Sequence, residues 1–256
     1  MPHSPMQDHA RTALACLDLT SLNDADTEGD IAHLCERAQG PHGPVAAVCV
    51  WPRLAAFARA RVPAGIAVAA VANFPQGGSD VEPAVRDTAQ IVQAGAQEVD
   101  VVLPWRALQA GDERACANLL AAVRHASEGL LLKVILESGE LQDPRLIRRA
   151  SELALAAGAD FLKTSTGKTR VSATLDAANV MLGAIAADAA ASTRVGFKAS
   201  GGIRTVADAT LYLGLTATLL GDAALNPRRF RIGASALLND IESILGGAPA
   251  TSPQGY

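Results

Sequence analysis

A lysine occupies the middle of a short apolar segment in "DFLKTSTGKT", residues 160–169. Burying the ammonium group of this residue, Lys163, is costly unless it is paired, and the segment offers no obvious partner. Three more charged residues occupy similar positions: Asp100 in "EVDVVLP", Lys133 in "LLLKVILE" and Lys198 in "GFKAS". Buried salt bridges, or lysines that reach solvent at the strand ends, would explain any one of them. A set of four favours a shared chemical role.

Strand alternation places two of these lysines so that they can interact. Lys163 shares a strand face with Phe161 and Ser165, and Lys198 lies on the inward face of the neighbouring predicted strand. Because adjacent strands are about 4.8 Å apart, we expect the two amines about 6 Å from each other. At an effective dielectric constant near 20 their repulsion is about 3 kcal/mol, equivalent to about 2 pKa units. One of the two lysines is therefore expected to be neutral near about pH 7 to 8.

A neutral lysine beside a cationic one suits an amine nucleophile that attacks a carbonyl group and forms a Schiff base. Burial and a cationic neighbour would keep the amine of Lys163 unprotonated and therefore reactive. Asp100, two strands away in the predicted order, is placed to relay protons during such a reaction. The residues alone therefore predict Schiff-base chemistry at Lys163.

Three loops that follow predicted strands carry groups that suit an anion. They are "STGKT", "SGGIRT" and "IGAS", the last of which leads into "ALLNDIESIL". Glycine N–H groups, hydroxyl groups, two cationic side chains and a helix N-terminus are available there. Each loop alone is typical of a plain turn, but three of them at the late strands of a barrel favour a phosphate site. The candidate phosphate-binding residues are Thr166, Gly167, Lys168, Gly201, Gly202, Arg204, Gly233 and Ser235.

Short runs rich in Val, Ile and Leu alternate with alanine-rich segments of helical periodicity from about residue 45 onward. We predict strands at 45–50, 66–73, 98–103, 130–137, 161–165, 195–200, 217–221 and 230–235. Helices are predicted at 81–95, ending in Gly95, and from Asp143 to Gly158. Strands that are apolar on both faces and separated by helices indicate parallel pairing. This α/β pattern favours a closed (β/α)8 TIM barrel over an open doubly wound sheet, although the seventh strand, "ATLLG", is weak.

The composition bounds the organisation of the chain and its partners. We predict that residues 1–256 form a single barrel domain, with an N-terminal extension over about 1–44 and a flexible tail over about 246–256. The chain is 49% apolar and 19% charged, which is typical of a globular protein. Its net charge of −4 leaves no basic surface for nucleic acid or an anionic membrane, so we expect a small-molecule partner.

The cysteine and N-terminal patterns indicate a cytoplasmic protein. Cys16, Cys35, Cys49 and Cys116 form no C-x-x-C pair and lack an ordered set of nearby histidines, so we expect no metal site. The segment "MPHSPMQDHARTAL" lacks the features of a signal peptide. No run reaches the roughly 18 apolar residues that a membrane span needs.

Several longer motifs occur in the order typical of one known family. They are "LDLTSLN" (17–23), "VCVWPR" (48–53), "EVDVVLPWRAL" (98–108), "LLKVILESGEL" (131–141), "AGADFLKTSTGK" (157–168), "VGFKASGGIRT" (195–205) and "RIGAS" (231–235). Over nearly the whole chain the sequence resembles the deoxyribose-phosphate aldolases, a family of Schiff-base (class I) aldolases. The resemblance implies a (β/α)8 barrel that reversibly cleaves 2-deoxy-D-ribose 5-phosphate to D-glyceraldehyde 3-phosphate and acetaldehyde, without a metal or organic cofactor. The implied partners are a phosphorylated sugar and aldehydes. Whether the chain also forms a homodimer is left open by the sequence.

The resemblance also implies roles for individual residues. Lys163 corresponds to the Schiff-base lysine, Lys198 to the lysine that lowers its pKa, and Asp100 to the proton donor and acceptor. The supporting residues that it implies are Asp18, Thr20, Cys49, Lys133 and Tyr256. The family's C-terminal tyrosine assists proton transfer at C2 of the substrate, and Tyr256 is the last residue here.

Two departures from the family pattern bear on the site. The segment 198–202 reads "KASGG", where the family often has Lys-Pro-Ala-Gly-Gly, but the lysine and both glycines remain. Ser235 is followed by Ala236, where the family often has two serines, so the strength of the phosphate preference is open. Two alternatives also stay open: another Schiff-base aldolase of the transaldolase-like or keto-acid type, and a barrel that binds a phosphorylated metabolite without catalysis.

Overall fold

The computed structural model describes residues 4–247, in which eight parallel strands close into a barrel. The barrel strands are β1 (Leu17–Thr20), β2 (Ala47–Val50), β3 (Ala67–Ala72), β4 (Glu98–Val102), β5 (Leu131–Ile135), β6 (Phe161–Lys163), β7 (Gly196–Ser200) and β8 (Phe230–Ala234). Each strand pairs with the next one in the chain, and β8 pairs with β1 to close the sheet. The predicted (β/α)8 TIM barrel is confirmed.

Helices connect the strands and cover the outside of the barrel. They are α1 (Pro5–Ala15), α2 (Glu28–Arg37), α3 (Pro52–Arg59), α4 (Val81–Gln93), α5 (Trp105–Gln109), α6 (Glu113–Ala126), α7 (Ser138–Leu141), α8 (Pro144–Ala156), α9 (Leu175–Ala187), α10 (Val206–Leu220) and α11 (Leu237–Leu245). A short antiparallel hairpin follows α2, in which Gln39–Gly40 pairs with Gly43–Pro44. A 3-10 turn spans Asp222–Ala224.

Local sequence signals explain where these helices begin and end. The Asp143 side chain caps α8 by accepting a hydrogen bond from the backbone N–H of Arg145, and Pro144 occupies the first turn. Past the end of α8, Gly158 has a φ of 81°, a conformation that glycine adopts without strain. The helices predicted at 81–95 and from Asp143 to Gly158 are therefore confirmed, with ends shifted by two residues or fewer.

The strand predicted at 217–221 is wrong, because residues 217–220 form the last turn of α10. This helix begins with a capping box in which Thr205 and Asp208 bond each other's backbone N–H groups. The sequence of α10, "VADATLYLGLTATLL", is apolar on nearly every side, so it lacks the amphipathic period of most surface helices. Its apolar last turn consequently resembles a short buried strand.

The barrel strand that the sequence prediction missed is β1, Leu17–Thr20. The predicted N-terminal extension over about 1–44 is therefore wrong, since its described part contains α1, β1 and α2. The apolar signal was too short because β1 has only four residues, of which Asp18 and Thr20 are polar. Residues 248–256 of the predicted tail, including Tyr256, lie outside the described residues.

An aromatic ring shares the barrel interior with the charged residues of β6 and its neighbours. A Cβ atom on Gly196 would lie 2.3 Å from the ring of Phe161, so the glycine on β7 provides the space that this ring occupies. Lys163 lies two residues further along β6 and shares the inward face with Phe161. The aromatic ring therefore lies in the interior beneath Lys163, with Lys133 as its cross-strand partner on β5.

Within residues 4–247, no helix is long and apolar enough to cross a membrane. All four cysteines are buried and unpaired. The same part of the chain contains no group of three or more His, Cys, Asp or Glu side chains that could hold a metal ion.

Candidate active site

Strand register brings the predicted charged residues together inside the barrel. Lys163 on β6 is the direct cross-strand partner of Lys198 on β7. Asp100 on β4 is likewise paired with Lys133 on β5. Because all four side chains point to the interior, neighbouring strands deliver them to one cluster.

The carboxylate of Asp100 is the centre of this cluster. Its Oδ2 atom accepts hydrogen bonds from Lys163 Nζ and from Lys198 Nζ, each at 2.8 Å. Its Oδ1 atom accepts a third hydrogen bond from Lys133 Nζ at 2.8 Å. Asp100, Lys133 and Lys198 are fully buried, and Lys163 is 3% exposed. One carboxylate therefore accepts hydrogen bonds from three lysine amines.

Two further carboxylates and an arginine extend the cluster toward the N-terminal end of the barrel. Asp18 accepts hydrogen bonds from Lys198 Nζ and, at 2.6 Å, from a guanidinium nitrogen of Arg231. Glu98 accepts hydrogen bonds from Arg231, at 2.8 Å, and from Lys133. Neither Glu98 nor Arg231 is among the residues predicted from the sequence. The signals were present, because Glu98 shares a strand face with Asp100 and Arg231 is the second residue of β8.

The pKa of Lys163 is lowered, chiefly because burial penalises its ammonium form. Asp100 opposes this shift, and the charge of Lys198 adds to it. Both causes expected from the sequence, burial and a cationic neighbour, act on Lys163, and burial makes the larger contribution.

The neighbours of Lys163 shift in the opposite sense. Burial alone would lower the pKa of Lys198, but Asp100 and Asp18 raise it above its usual value. Burial opposes ionisation of Asp100, yet the three lysines hold its pKa well below its usual range. At neutral pH the site therefore combines an ionised Asp100, a cationic Lys198 and a Lys163 amine that loses its proton more easily than usual.

Two of the expected supporting residues lie on adjacent positions of β1 and β2. Thr20 is the cross-strand partner of Cys49, and its hydroxyl donates to the backbone oxygen of Asp18 at 2.8 Å. Cys49 is fully buried, and burial and the nearby Asp100 raise the pKa of its thiol. Cys49 is therefore a protonated thiol beside the buried lysine cluster rather than a thiolate.

A pocket of about 320 Å³ opens above this cluster at the C-terminal end of the strands. Lys163 and Thr20 line the pocket. All eight candidate phosphate-binding residues line it as well: Thr166, Gly167, Lys168, Gly201, Gly202, Arg204, Gly233 and Ser235. The structure thus places the three predicted anion loops around one cavity that reaches the amine of Lys163.

Gly233 and Gly201 have specific steric reasons to be glycine. A Cβ atom on Gly233 would lie 3.1 Å from Lys198 Cε and 2.8 Å from Ser200 Cβ, so the glycine leaves room for the lysine side chain. Gly201 has a φ of 89°, and a Cβ atom there would lie 2.4 Å from Ser172 Cβ. Both glycines are therefore needed for packing beside the pocket, whatever they bind.

Glu137 is a site residue that the sequence analysis missed. It follows β5, is fully buried and has a φ of 54°. Its carboxylate accepts hydrogen bonds from the Thr166 backbone N–H at 3.2 Å and from the Thr166 hydroxyl at 2.6 Å. Burial raises the pKa of Glu137. This carboxylate therefore holds the loop that carries Thr166, Gly167 and Lys168 against the pocket.

Comparisons with known proteins agree with this class of site. Residues 12–242 match the model of the DeoC/LacD family of aldolases. A deoxyribose-phosphate aldolase from Agrobacterium fabrum is 50% identical over 251 residues, which cover 96% of each chain. The fold and the buried lysine cluster thus define an aldolase barrel. The chain belongs to the DeoC/LacD aldolase family and is a carbon–carbon lyase.

Solved structures show the same architecture. An apo crystal structure from Toxoplasma gondii, assigned as a deoxyribose-phosphate aldolase, superposes with a TM-score of 0.86 and 27% identity, covering 94% of this chain and 98% of that one. A structure from Coccidioides immitis with the same assignment gives a TM-score of 0.78 and 27% identity, covering 93% and 87%.

Proposed function

We propose that the protein reversibly cleaves 2-deoxy-D-ribose 5-phosphate to D-glyceraldehyde 3-phosphate and acetaldehyde through a Schiff base on Lys163. The observation that carries this proposal is a buried amine with a lowered pKa at the inner end of an anion-suited pocket. The name of the Agrobacterium fabrum relative supports the choice of substrate.

Carbon–nitrogen bond formation is the first step. The neutral amine of Lys163 attacks the C1 aldehyde of the open-chain sugar, and loss of water from the carbinolamine gives a protonated imine. Because the Lys198 pKa is raised, its ammonium group can donate the proton that the departing hydroxyl needs. The hydrogen bond from Lys163 to Asp100 fixes the position of the attacking nitrogen.

Carbon–carbon cleavage follows from the charge on the imine. Removal of the proton from the C3 hydroxyl and rupture of the C2–C3 bond release D-glyceraldehyde 3-phosphate and leave an enamine on Lys163. Protonation at C2 gives the imine of acetaldehyde, and water hydrolyses it to restore the amine. Asp100, whose lowered pKa keeps it ionised, accepts and returns protons in these steps together with Lys198.

The phosphate group is proposed to lie at the outer end of the pocket. Lys168, Arg204 and Ser235, together with Gly201 and Gly202, line the pocket. The nearby helix α11 begins at Leu237 without a side-chain cap, so its first backbone N–H groups suit an anion.

The direct test measures the acetaldehyde released from 2-deoxyribose 5-phosphate by the purified protein, with unphosphorylated 2-deoxyribose as the comparison substrate. We expect cleavage of both sugars, with a much higher kcat/KM for the phosphorylated one because the outer pocket binds its phosphate. Absence of cleavage would favour a binding protein, and release of pyruvate from a keto acid without acetaldehyde production would favour the rival aldolase.

A further inference from the structure

Among the described residues, ion pairs connect seven buried charged side chains into one cluster in the barrel interior. The carboxylates are Asp18, Glu98 and Asp100, and the cations are Lys133, Lys163, Lys198 and Arg231. The proposed mechanism uses Lys163, Lys198 and Asp100 directly. It gives no role to Arg231, which is 6% exposed and lies at the N-terminal end of β8.

The four cations are not equally well paired. Lys133 contacts all three carboxylates, at 2.8 Å for Asp100 and 3.5 Å for Asp18, with Glu98 the third. Lys198 contacts Asp18 and Asp100, and Arg231 contacts Asp18 and Glu98. Among residues 4–247, the only carboxylate paired with Lys163 is Asp100, whose oxygen it shares with Lys198.

The net charge of the buried cluster shows which lysine releases its proton most easily. With all seven groups ionised, four cations face three anions, and the buried cluster carries one excess positive charge. Release of a proton from a lysine removes that excess, whereas an arginine side chain stays protonated. Lys163 is the least paired lysine and therefore the one that loses its proton at the lowest cost.

We propose that Arg231 is a positioning residue that keeps Lys163 reactive. Arg231 supplies a permanent positive charge, and the three carboxylates cannot balance this charge in addition to the charges of three ammonium groups. Without Arg231 the cluster would hold three carboxylates and three lysines and would be balanced with Lys163 protonated. This inference rests on the proposed function, because it assumes that the neutral Lys163 amine is the nucleophile.

The other titratable groups facing Lys163 come from several elements. They are Asp100, Lys133, Lys198, Cys49 and Glu137. None of these five residues is itself substituted in variants of Arg231 or Glu98. A comparison of such variants therefore isolates the effect of the charge at the N-terminal end of the barrel.

The test is the pH dependence of turnover in Arg231→Met, which removes the charge and keeps much of the side-chain volume. Asp18 and Glu98 each retain a lysine partner in this variant, so neither carboxylate is left unpaired. The β6 and β8 strands are two strand spacings, or about 10 Å, apart, and one unit charge at that distance shifts a pKa by about one unit. The rising limb of the pH profile should move to higher pH by about one unit, and at pH values below the limb the rate should fall about tenfold.

A second substitution provides charge rescue. Glu98→Gln alone removes an anion and should move the rising limb to lower pH. The double variant Arg231→Met/Glu98→Gln restores an excess of one positive charge, so its limb should return close to that of the wild type. A purely structural role for Arg231 predicts instead that the double variant is at least as impaired as Arg231→Met.

A second measurement determines the pKa of the Lys163 amine directly. Limited acetylation with acetic anhydride across the pH range, followed by peptide mass mapping, gives the pKa of Lys163 in the free protein, and this pKa should rise in Arg231→Met. An unchanged Lys163 pKa and pH profile, or a failure of the double variant to recover, would overturn the inference. If the wild type formed no reducible adduct at Lys163, the proposed function itself would fail, which is a different outcome.

Discussion

Lys163 and Lys198 face each other across neighbouring strands and donate hydrogen bonds to the same oxygen of Asp100, each at 2.8 Å. Lys198 has Asp18 as a second carboxylate partner. Among residues 4–247, no such second carboxylate is found for Lys163. Two buried amines that share one acceptor cannot both hold a proton at low cost, so the proton is lost more easily from Lys163.

Lys163→Leu should abolish aldolase activity, because in the described part of the chain Lys168 is the only other lysine that lines the pocket, and it lies outside the buried cluster. The fold should remain intact, since Asp100 keeps Lys133 and Lys198 as partners and an apolar side chain removes a buried charge. Thermal unfolding followed by circular dichroism would check the fold. Cleavage at more than a trace of the wild-type rate would contradict the assignment.

Lys198→Leu should raise the pKa of Lys163. The cationic neighbour is removed, and Asp100 is shared by one lysine fewer. The reactive form is the free amine, so the rate rises with pH through this pKa and the rising limb must move to higher pH. We expect the rate at neutral pH to fall more than about tenfold and to recover partly in alkaline buffer. Lys198→Arg, which keeps the charge, is the matched control, and identical profiles for the Leu variant and the wild type would argue against the electrostatic role.

Ser235→Asp should weaken the binding of phosphorylated substrate, because a carboxylate would stand where the pocket is proposed to bind phosphate. KM for 2-deoxyribose 5-phosphate should rise at least about tenfold, while KM for 2-deoxyribose changes little. Steady-state kinetics with both sugars would measure this difference. Equal changes for the two sugars would remove phosphate recognition from this loop.

Glu137→Ala should loosen the loop that carries Thr166. The buried Thr166 N–H and hydroxyl lose their carboxylate acceptor, which costs about 1 to 3 kcal/mol for each unsatisfied group. The free energy of unfolding should fall, and KM for the phosphorylated sugar should rise more than kcat falls. Glu140→Ala, a truncation in the adjacent helix α7, is the control and should be close to wild type. Equal behaviour of the two variants would show that Glu137 does not hold the loop.

The sequence could identify the centre of the site because its signal is local. Lys163, Lys198 and Asp100 each interrupt an apolar run that reads as a buried strand, and their alternation places them on inward faces. The barrel follows from the same alternation of strands and helices. These features depend on neighbours in the chain, so the residues themselves reveal them.

The remaining parts of the network depend on long-range register. Arg231 and Glu98 occupy the first two positions of their predicted strands, where a long charged side chain can reach solvent at the strand end. Only the closed barrel brings them within 2.8 Å of each other, although they are far apart in the chain. The role of β1 was equally hidden, because four residues give too short a pattern for a strand to be recognised.

Reductive trapping shows directly whether Lys163 forms a Schiff base with an aldehyde. The wild-type protein is incubated with acetaldehyde and sodium borohydride, digested and mapped by mass spectrometry, with Lys163→Leu and Lys168→Leu treated in parallel. A Schiff base on Lys163 predicts one reduced ethyl adduct, located on Lys163, present in Lys168→Leu and absent from Lys163→Leu. An adduct located on Lys198, or a wild-type protein that retains activity but forms no adduct, would contradict it.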